Sequence, residues 1–365
     1  MDVMTSWSIT EIPVPATLDD PGAEVLRAYL DVRNAVIEES WGVDDFHRSL
    51  PDELGGLHDQ TYVRKLRFMV GPEGGDPWGY LAMNLPLQDN THQATFDMGV
   101  LRAHQGQGVG SALHDRALQV AREAGRTTVI ASSDQQVEPP EGPTTLSPST
   151  GSGRVDTEDR GVRFALKRGW ELAQVERYSV LDVPIDPAVL AAHRAAAQER
   201  AGDDYRMVSW GTHCPDEWLD EYAKLNTRMS TDVPLGDLDF KEDVWDPARI
   251  RTTEAQFAER GWELVVTAAE HVPTRTLAAY TVLLVFPHTD RYVAQEDTLV
   301  IREHRGRRLG MLVKAANLEL LARERPTVRR VGTWNAEENS FMLDINIALG
   351  FRPAGGSGEW QLRLT

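Results

Sequence analysis

The sequence predicts a mixed α/β chain made of two copies of one fold, each a mostly antiparallel sheet flanked by helices. Three observations lead there. The stretch His104-Gln105-Gly106-Gln107-Gly108-Val109-Gly110 returns two hundred residues later as His304-Arg305-Gly306-Arg307-Arg308-Leu309-Gly310. The flanks keep the same offset, with Val100 answering Val300 and the apolar run Gly79 to Met83 answering Ala279 to Leu283. In each copy, short strand-like segments precede the glycine stretch and an amphipathic helix follows it. Shared register over this length indicates a duplication.

In the first copy, Ser6 to Val14 reads as a short strand and Pro21 to Ser40 as a helix, with Val25, Leu26, Tyr29, Leu30 and Val36 at helical spacing. The segment 41–60 is acidic and irregular. Strands follow at 63–70, 79–85 and 95–101, separated by turn residues that suit a meander. The helix from Gly108 to Ala124 buries Val109, Ala112, Leu113, Ala117, Val120 and Ala121, and Gly125 stands at its C-terminal cap. A strand is expected at 127–131. The stretch 132–157, rich in Pro, Gly, Ser and Thr, reads as a mobile loop that is either a lid or a tolerated surface insertion. A helix at 157–168 and a strand at 171–183 close the first domain, placed at 1–184. Residues 185–203 read as a linker helix and 204–365 as the second domain. In that domain a strand at 205–210, a helix at 215–229 and an acidic loop at 230–250 lead to strands at 263–269, 277–285 and 296–301. The helix after the second glycine stretch buries Leu309, Leu312, Val313, Ala316 and Leu320.

Composition narrows the function. A net charge of −18 disfavours nucleic acid and suits a cationic acceptor, although acidic surfaces also serve solubility alone. One cysteine, Cys214, leaves no disulfide framework or cysteine zinc cluster and points to a reducing, cytoplasmic setting. The N-terminal residues show no basic region followed by an apolar run, and no stretch reaches eighteen apolar residues, so neither a leader nor a membrane span is expected.

The glycine stretch reads as a phosphate cradle, because glycines let the backbone curl around an anion while the following helix presents unpaired N–H groups. The spacing of Gly106, Gly108 and Gly110 fits neither the dinucleotide fingerprint nor a Walker loop. It resembles the acetyl-CoA loop of the GNAT superfamily of N-acetyltransferases, Gln/Arg-x-x-Gly-x-Gly/Ala, carried by Gln105, Gly108 and Gly110. In the second copy Arg305 and Gly310 fit, and Arg308 replaces the middle glycine. Each copy also ends a late helix in Gly plus an aromatic, Gly169-Trp170 and Gly350-Phe351, as GNAT domains do. The two-domain layout is similar to that of mycothiol synthase and related tandem actinobacterial acetyltransferases.

The resemblance implies two tandem GNAT folds and an acetyl-CoA-dependent N-acetyltransferase. The acceptor would be the primary amine of a small molecule, such as an amino sugar, an antibiotic or a thiol-precursor amine. It implies acetyl-CoA contacts at Val100, Leu101, Gln105, Gly106, Gln107, Gly108, Val109, Gly110 and Ser111. In the second copy they fall at Val300, Ile301, Arg305, Gly306, Arg307, Arg308, Leu309, Gly310, Asn335 and Asn339. The family's frequent glutamate base and tyrosine acid fall at Ala94 and Ala165 in the first copy, and at Ala294 and Asn346 in the second. Asn346, Asp297 and His304 are therefore the candidates for catalysis, and the second domain is the expected seat of turnover. Strand alternation sets Asp297 on the face opposite Ala294. No metal site is expected. Two alternatives stay open, a non-catalytic acyl-CoA sensor and an active first domain. Oligomeric state is left undetermined.

Overall fold

The computed structural model describes residues 7–364; Ser6, expected in the first strand, and Thr365 lie outside them. The elements run β1 (Trp7–Glu11), α1 (Gly22–Trp41), α2 (Leu50–His58), β2 (Val63–Pro72), β3 (Gly79–Pro86), β4 (Gln93–Val100), α3 (Val109–Glu123) and β5 (Thr128–Gln135). Short strands β6 (Thr145–Leu146) and β7 (Val155–Asp156) precede α4 (Arg160–Leu166), β8 (Glu171–Asp182), α5 (Pro187–Ala201) and β9 (Tyr205–Trp210). Then come α6 (Leu219–Asp232), α7 (Pro247–Arg260), β10 (Glu263–His271), β11 (Thr276–Val285) and β12 (Tyr292–Val300). The chain closes with α8 (Leu309–Glu324), β13 (Arg330–Ala336), α9 (Ser340–Leu349) and β14 (Arg352–Arg363).

Two compact units result, and neither is contiguous in sequence. Among the described residues the first comprises 7–136, 155–173 and 358–364; the second comprises 137–154 and 174–357. In the first unit the sheet runs β1-β2-β3-β4-β5, and residues 358–363 of β14 lie beside β5. There the Leu364 N–H donates to the Thr127 carbonyl at 2.8 Å. In the second unit the order is β8-β13-β12-β11-β10-β9. The strand 171–183, expected to finish the first domain, thus belongs from Gln174 onward to the second unit, and the expected cuts at 184 and 204 fall inside that unit. Helix α5 is no linker: Leu190, Ala197 and Ala201 are buried in the same core as Leu312, Leu318 and Leu321 of α8.

Three further readings change. Helix α2 occupies part of the supposedly irregular 41–60 stretch, with Ser49 accepting from the Asp52 N–H and Pro51 in the first turn. Helix α7 was not foreseen, although Asp246 caps it at 2.7 Å, Pro247 starts it and Gly261 ends it in the left-handed region. The 132–157 stretch is built into the structure. β5 runs through Gln135, Val155 is 1% exposed, and residues 137–154 belong to the second unit.

A buried cation marks the second core. Lys314 on α8 is 1% exposed, lies over the Phe351 ring, and has its ammonium pushed down to about 7 by burial. Below pH 7 both folded and unfolded chains carry that proton, so the full penalty applies. Between pH 7 and 10.5 the unfolded chain binds more protons, so stability rises with pH there. Lys314→Met should therefore stabilise the second unit by roughly 2–4 kcal/mol at pH 6.5. The gain should shrink by pH 9, as read by urea unfolding at both pH values.

Candidate active site

Both glycine stretches sit at the same place, just after the strand that pairs in parallel with its neighbour. In the first unit β4 and β5 pair from Gln93–Thr128 to Thr95–Ile130 and then part. In the second unit β12 and β13 pair from Tyr292–Arg330 to Gln295–Thr333 and then part. Beyond that point each pair of strands opens into a V. The Leu101 N–H donates to Trp78 on the β3 side, so alternation turns the N–H and carbonyl of Val100 into the opening. Ile301 donates to Ala278 and places Val300 in the same way.

The first residue of each loop motif acts as a brace. Gln105 Nε2 donates to the Val100 carbonyl at 2.8 Å, and Arg305 Nε donates to the Val300 carbonyl at 3.1 Å. A short 3-10 turn follows each strand, then Gly106 and Gly108 adopt φ of 79° and 84°. Gly306 and Arg308 repeat this at 78° and 59°. Arg308 therefore keeps the backbone path of the glycine it replaces, in a region most side chains avoid. Neither α3 nor α8 has a side-chain cap, so their first N–H groups face the loop. Val109 and Leu309 are 1% exposed, so any ligand contact from them is through main chain. Ser111 Oγ is held by Arg168 at 2.7 Å, and Gln107 Nε2 reaches the Ala103 carbonyl at 3.4 Å. Arg305 and Arg307 lie beside the second loop, and Arg200 Nε donates to the Gly306 carbonyl at 3.3 Å. The cradle, its unpaired N–H groups and its cations fit a pyrophosphate.

The V in the second unit holds an arrangement that the sequence did not show. The register of β11 against β12 shifts between Thr281–Thr298 and Leu283–Gln295, so Glu296 and Asp297 together oppose Val282. This bulge reverses the strand's alternation. Val293 and Val300 face the α8 core while Ala294 and Leu299 face the α6 core, and the extra residue puts Glu296 and Asp297 together on the α6 side. The expected placement of Asp297 opposite Ala294 is thereby overturned. Gln295 Nε2 fixes the bulge by donating to Thr281 Oγ1 at 3.0 Å and the Val282 carbonyl at 2.7 Å. Asp297 accepts from Tyr280 Oη at 3.0 Å, and burial raises its carboxyl above the usual range. Glu296 is open to water yet walled by protein, and burial together with the Asp297 charge pushes it up to about 7. A carboxylate so tuned can take a proton near neutral pH.

The other candidates are separated by the fold. His304 Nδ1 pairs with Tyr205 Oη at 2.7 Å, and its ring lies against His271. Burial, with His271 and Arg307 nearby, lowers its basicity. This fixes His304 to β9 as a loop brace, away from the bulge carboxylates that share the α6 side. Asn339 caps α9 through the Met342 N–H at 3.3 Å. Asn346 and Asn335 meet: Asn346 Nδ2 donates to Asn335 Oδ1 at 2.7 Å. Asn346 is 1% exposed and its own Oδ1 has no partner, an orphan acceptor that a ligand amide would satisfy.

The first unit keeps part of this pattern. Tyr80 Oη donates to Asp97 at 2.8 Å, as Tyr280 does to Asp297, but β4 has no bulge against β3. Asp134 on β5 accepts from Trp41 Nε1 at 3.0 Å, and burial and the Asp97 charge push its carboxyl up to about 7. Glu296 and Asp134 were missed because only the bulge and the parting of strands reveal them. Among the described residues no group of three or more side chains could hold a metal, and no helix is long and apolar enough to cross a membrane. Cys214 is fully buried with its thiol pushed up to about 12 by burial, which fits a structural residue.

An anion-cradling loop at the mouth of a parted parallel strand pair is thus repeated in the two units. Residues 31–138 match the model of the acetyltransferase (GNAT) family. Over its whole length the chain has the fold of a tandem GNAT protein. A tandem GNAT protein from the clavulanic acid biosynthesis pathway, solved without acetyl-CoA, is 27% identical with a TM-score of 0.72, over 98% of each chain. A GCN5-related N-acetyltransferase from Sphaerobacter thermophilus is similar at 13% identity and a TM-score of 0.58, over 97% of this chain and 95% of that one. A glucosamine N-acetyltransferase region in a fungal multi-domain β-N-acetylglucosaminidase is similar at 15% identity and a TM-score of 0.58, over 98% of this chain and 38% of that one. The last two show the fold alone. No curated protein matches the chain in sequence.

Proposed function

We propose that this protein transfers an acetyl group from acetyl-CoA to the primary amine of a small molecule, with turnover in the second unit. The observation that carries this is Glu296, which the bulge sets beside Asp297 just where β12 and β13 part, its carboxyl raised by the surrounding protein and the Asp297 charge. Bound acetyl-CoA would supply an activated acetyl thioester. The residues that would hold it are Arg305, Gly306, Arg307, Arg308, Leu309 and Gly310 with the N–H groups of α8, and Asn335 with Asn346 deeper in. Glu296 takes a proton from the acceptor ammonium, leaving the neutral amine that nucleophilic attack requires. Tyr280 holds Asp297 in place, and the Asp297 charge raises the basicity of Glu296. The first unit, with the more glycine-rich loop at Gln105, Gly106, Gln107, Gly108, Val109, Gly110 and Ser111, binds a second acetyl-CoA. Its Asp134, tuned to the same range, supports a second reading in which the first unit turns over.

A thiol-release assay with acetyl-CoA and a panel of small amines tests the proposal, with calorimetry reading two acetyl-CoA sites per chain. Gly310 should be the sensitive position in the second site, because an added Cβ would stand 2.9 Å from Ile345 Cδ1 and 3.7 Å from Val300 Cγ2. Gly310→Val should remove one site and leave the other. Binding at both sites with no thiol release from any amine would make the protein a sensor of acyl-CoA.

A further inference from the structure

On β8, Gln174, Glu176 and Tyr178 share one face, and the register sets Tyr178 against Trp334 and Glu176 against Ala336. Glu296 follows the Gln295–Thr333 pair, so it lies beside Trp334 on the same side of the sheet. A line from Glu296 across the tilted Trp334 and Tyr178 rings, 4.9 Å apart, leads to Glu176, two strand spacings across and two residues along, or about 12 Å away. Glu176 faces Glu338 in the turn after β13, and the Glu338 charge adds to burial in raising its carboxyl. Glu338 Oε1 accepts from Gln174 Nε2 at 2.7 Å, while its Oε2 is enclosed and has no partner. No hydrogen bond or ion pair reaches Glu176 among the described residues. The adjacent Arg177 points to the opposite face, where it pairs with Glu337 at 2.8 and 2.6 Å.

Two facing carboxylates, one with a sealed and unsatisfied oxygen, are costly unless a cation lies between them. Aromatic faces on the approach favour a cation and its alkyl stem. Resting on the acyl-transfer reading, we propose that the acceptor carries a second cationic group, a diamine or guanidino-amine. Its reacting amine would lie at Glu296, and its far ammonium or guanidinium between Glu176 and Glu338. On this face Gln174 Nε2 also donates to the Pro234 carbonyl at 3.1 Å, and Ser149 is bonded to Asp237 of the same 230–250 loop.

The test compares 1,6-diaminohexane with hexylamine, by calorimetry on the intact protein and by thiol release with acetyl-CoA. The diamine should bind about tenfold tighter or more, the range expected for a charge-assisted contact. Glu338→Gln, which keeps the acceptor for Gln174, and Glu176→Gln should each erase that preference. A general loss of stability would weaken both amines alike and leave the ratio standing. Equal binding of the two amines, or a preference that survives both variants, overturns the clamp. Preferred diamine binding without thiol release upholds the clamp and sinks acyl transfer; thiol release with no preference does the reverse, and absence of both sinks both.

Discussion

Trp360→Ala should lower the stability of the first unit by about 3–5 kcal/mol. Trp360 is 1% exposed, the largest of the fully buried side chains, and its Nε1 donates to Ser133 Oγ on β5 at 2.9 Å. Truncation to Ala would leave a cavity and an unpaired hydroxyl in a unit whose other described residues are drawn from 7–136 and 155–173. Deleting 358–365 should go further by uncovering the β5 edge. Limited proteolysis of either variant should show new cuts within residues 7–136 while α8 and β10 to β13 stay protected. Wild-type proteolysis and unchanged urea midpoints would remove these residues from the first unit's core.

Glu296→Gln should lower kcat by about 10²–10⁴-fold, the usual contribution of a positioned general base. The variant keeps shape and hydrogen-bonding capacity, so the loss should fall on turnover more than on the KM for acetyl-CoA. In the wild type, activity should rise as pH passes upward through about 7, because the base works deprotonated and its carboxyl is raised to that value by burial and Asp297. The rising limb should disappear in the variant. Asp134→Asn serves as the comparison. If it stops turnover while Glu296→Gln does not, catalysis belongs to the first unit.

The duplication, the glycine stretches and their helices were legible because they repeat as local patterns, and Gln105, Arg305 and the positive-φ glycines lie where their spacing put them. What escaped the sequence was non-local. The bulge at Glu296–Asp297 depends on the register of β12 against β11, which no single segment encodes. The residues 352–363 hold three glycines and a proline, poor strand formers, yet extend as β14 because neighbouring strands supply the ladder. Segment 137–154 looked unable to pack, but Gly153 fits closely against Val175 of β8 and Glu337 of the following turn. Helices α2 and α7 did announce themselves through Ser49-Leu50-Pro51 and Asp246-Pro247, and acidic composition masked them.

Residues 358–363 emerge from the ribosome only after all of 174–357 has been made. The β5 edge of the first unit must therefore wait, uncapped, through the synthesis of nearly the whole second unit. An exposed strand edge of that kind invites pairing with other nascent chains. The order of translation and the order of completion are inverted: the first unit to be synthesised is the last to close.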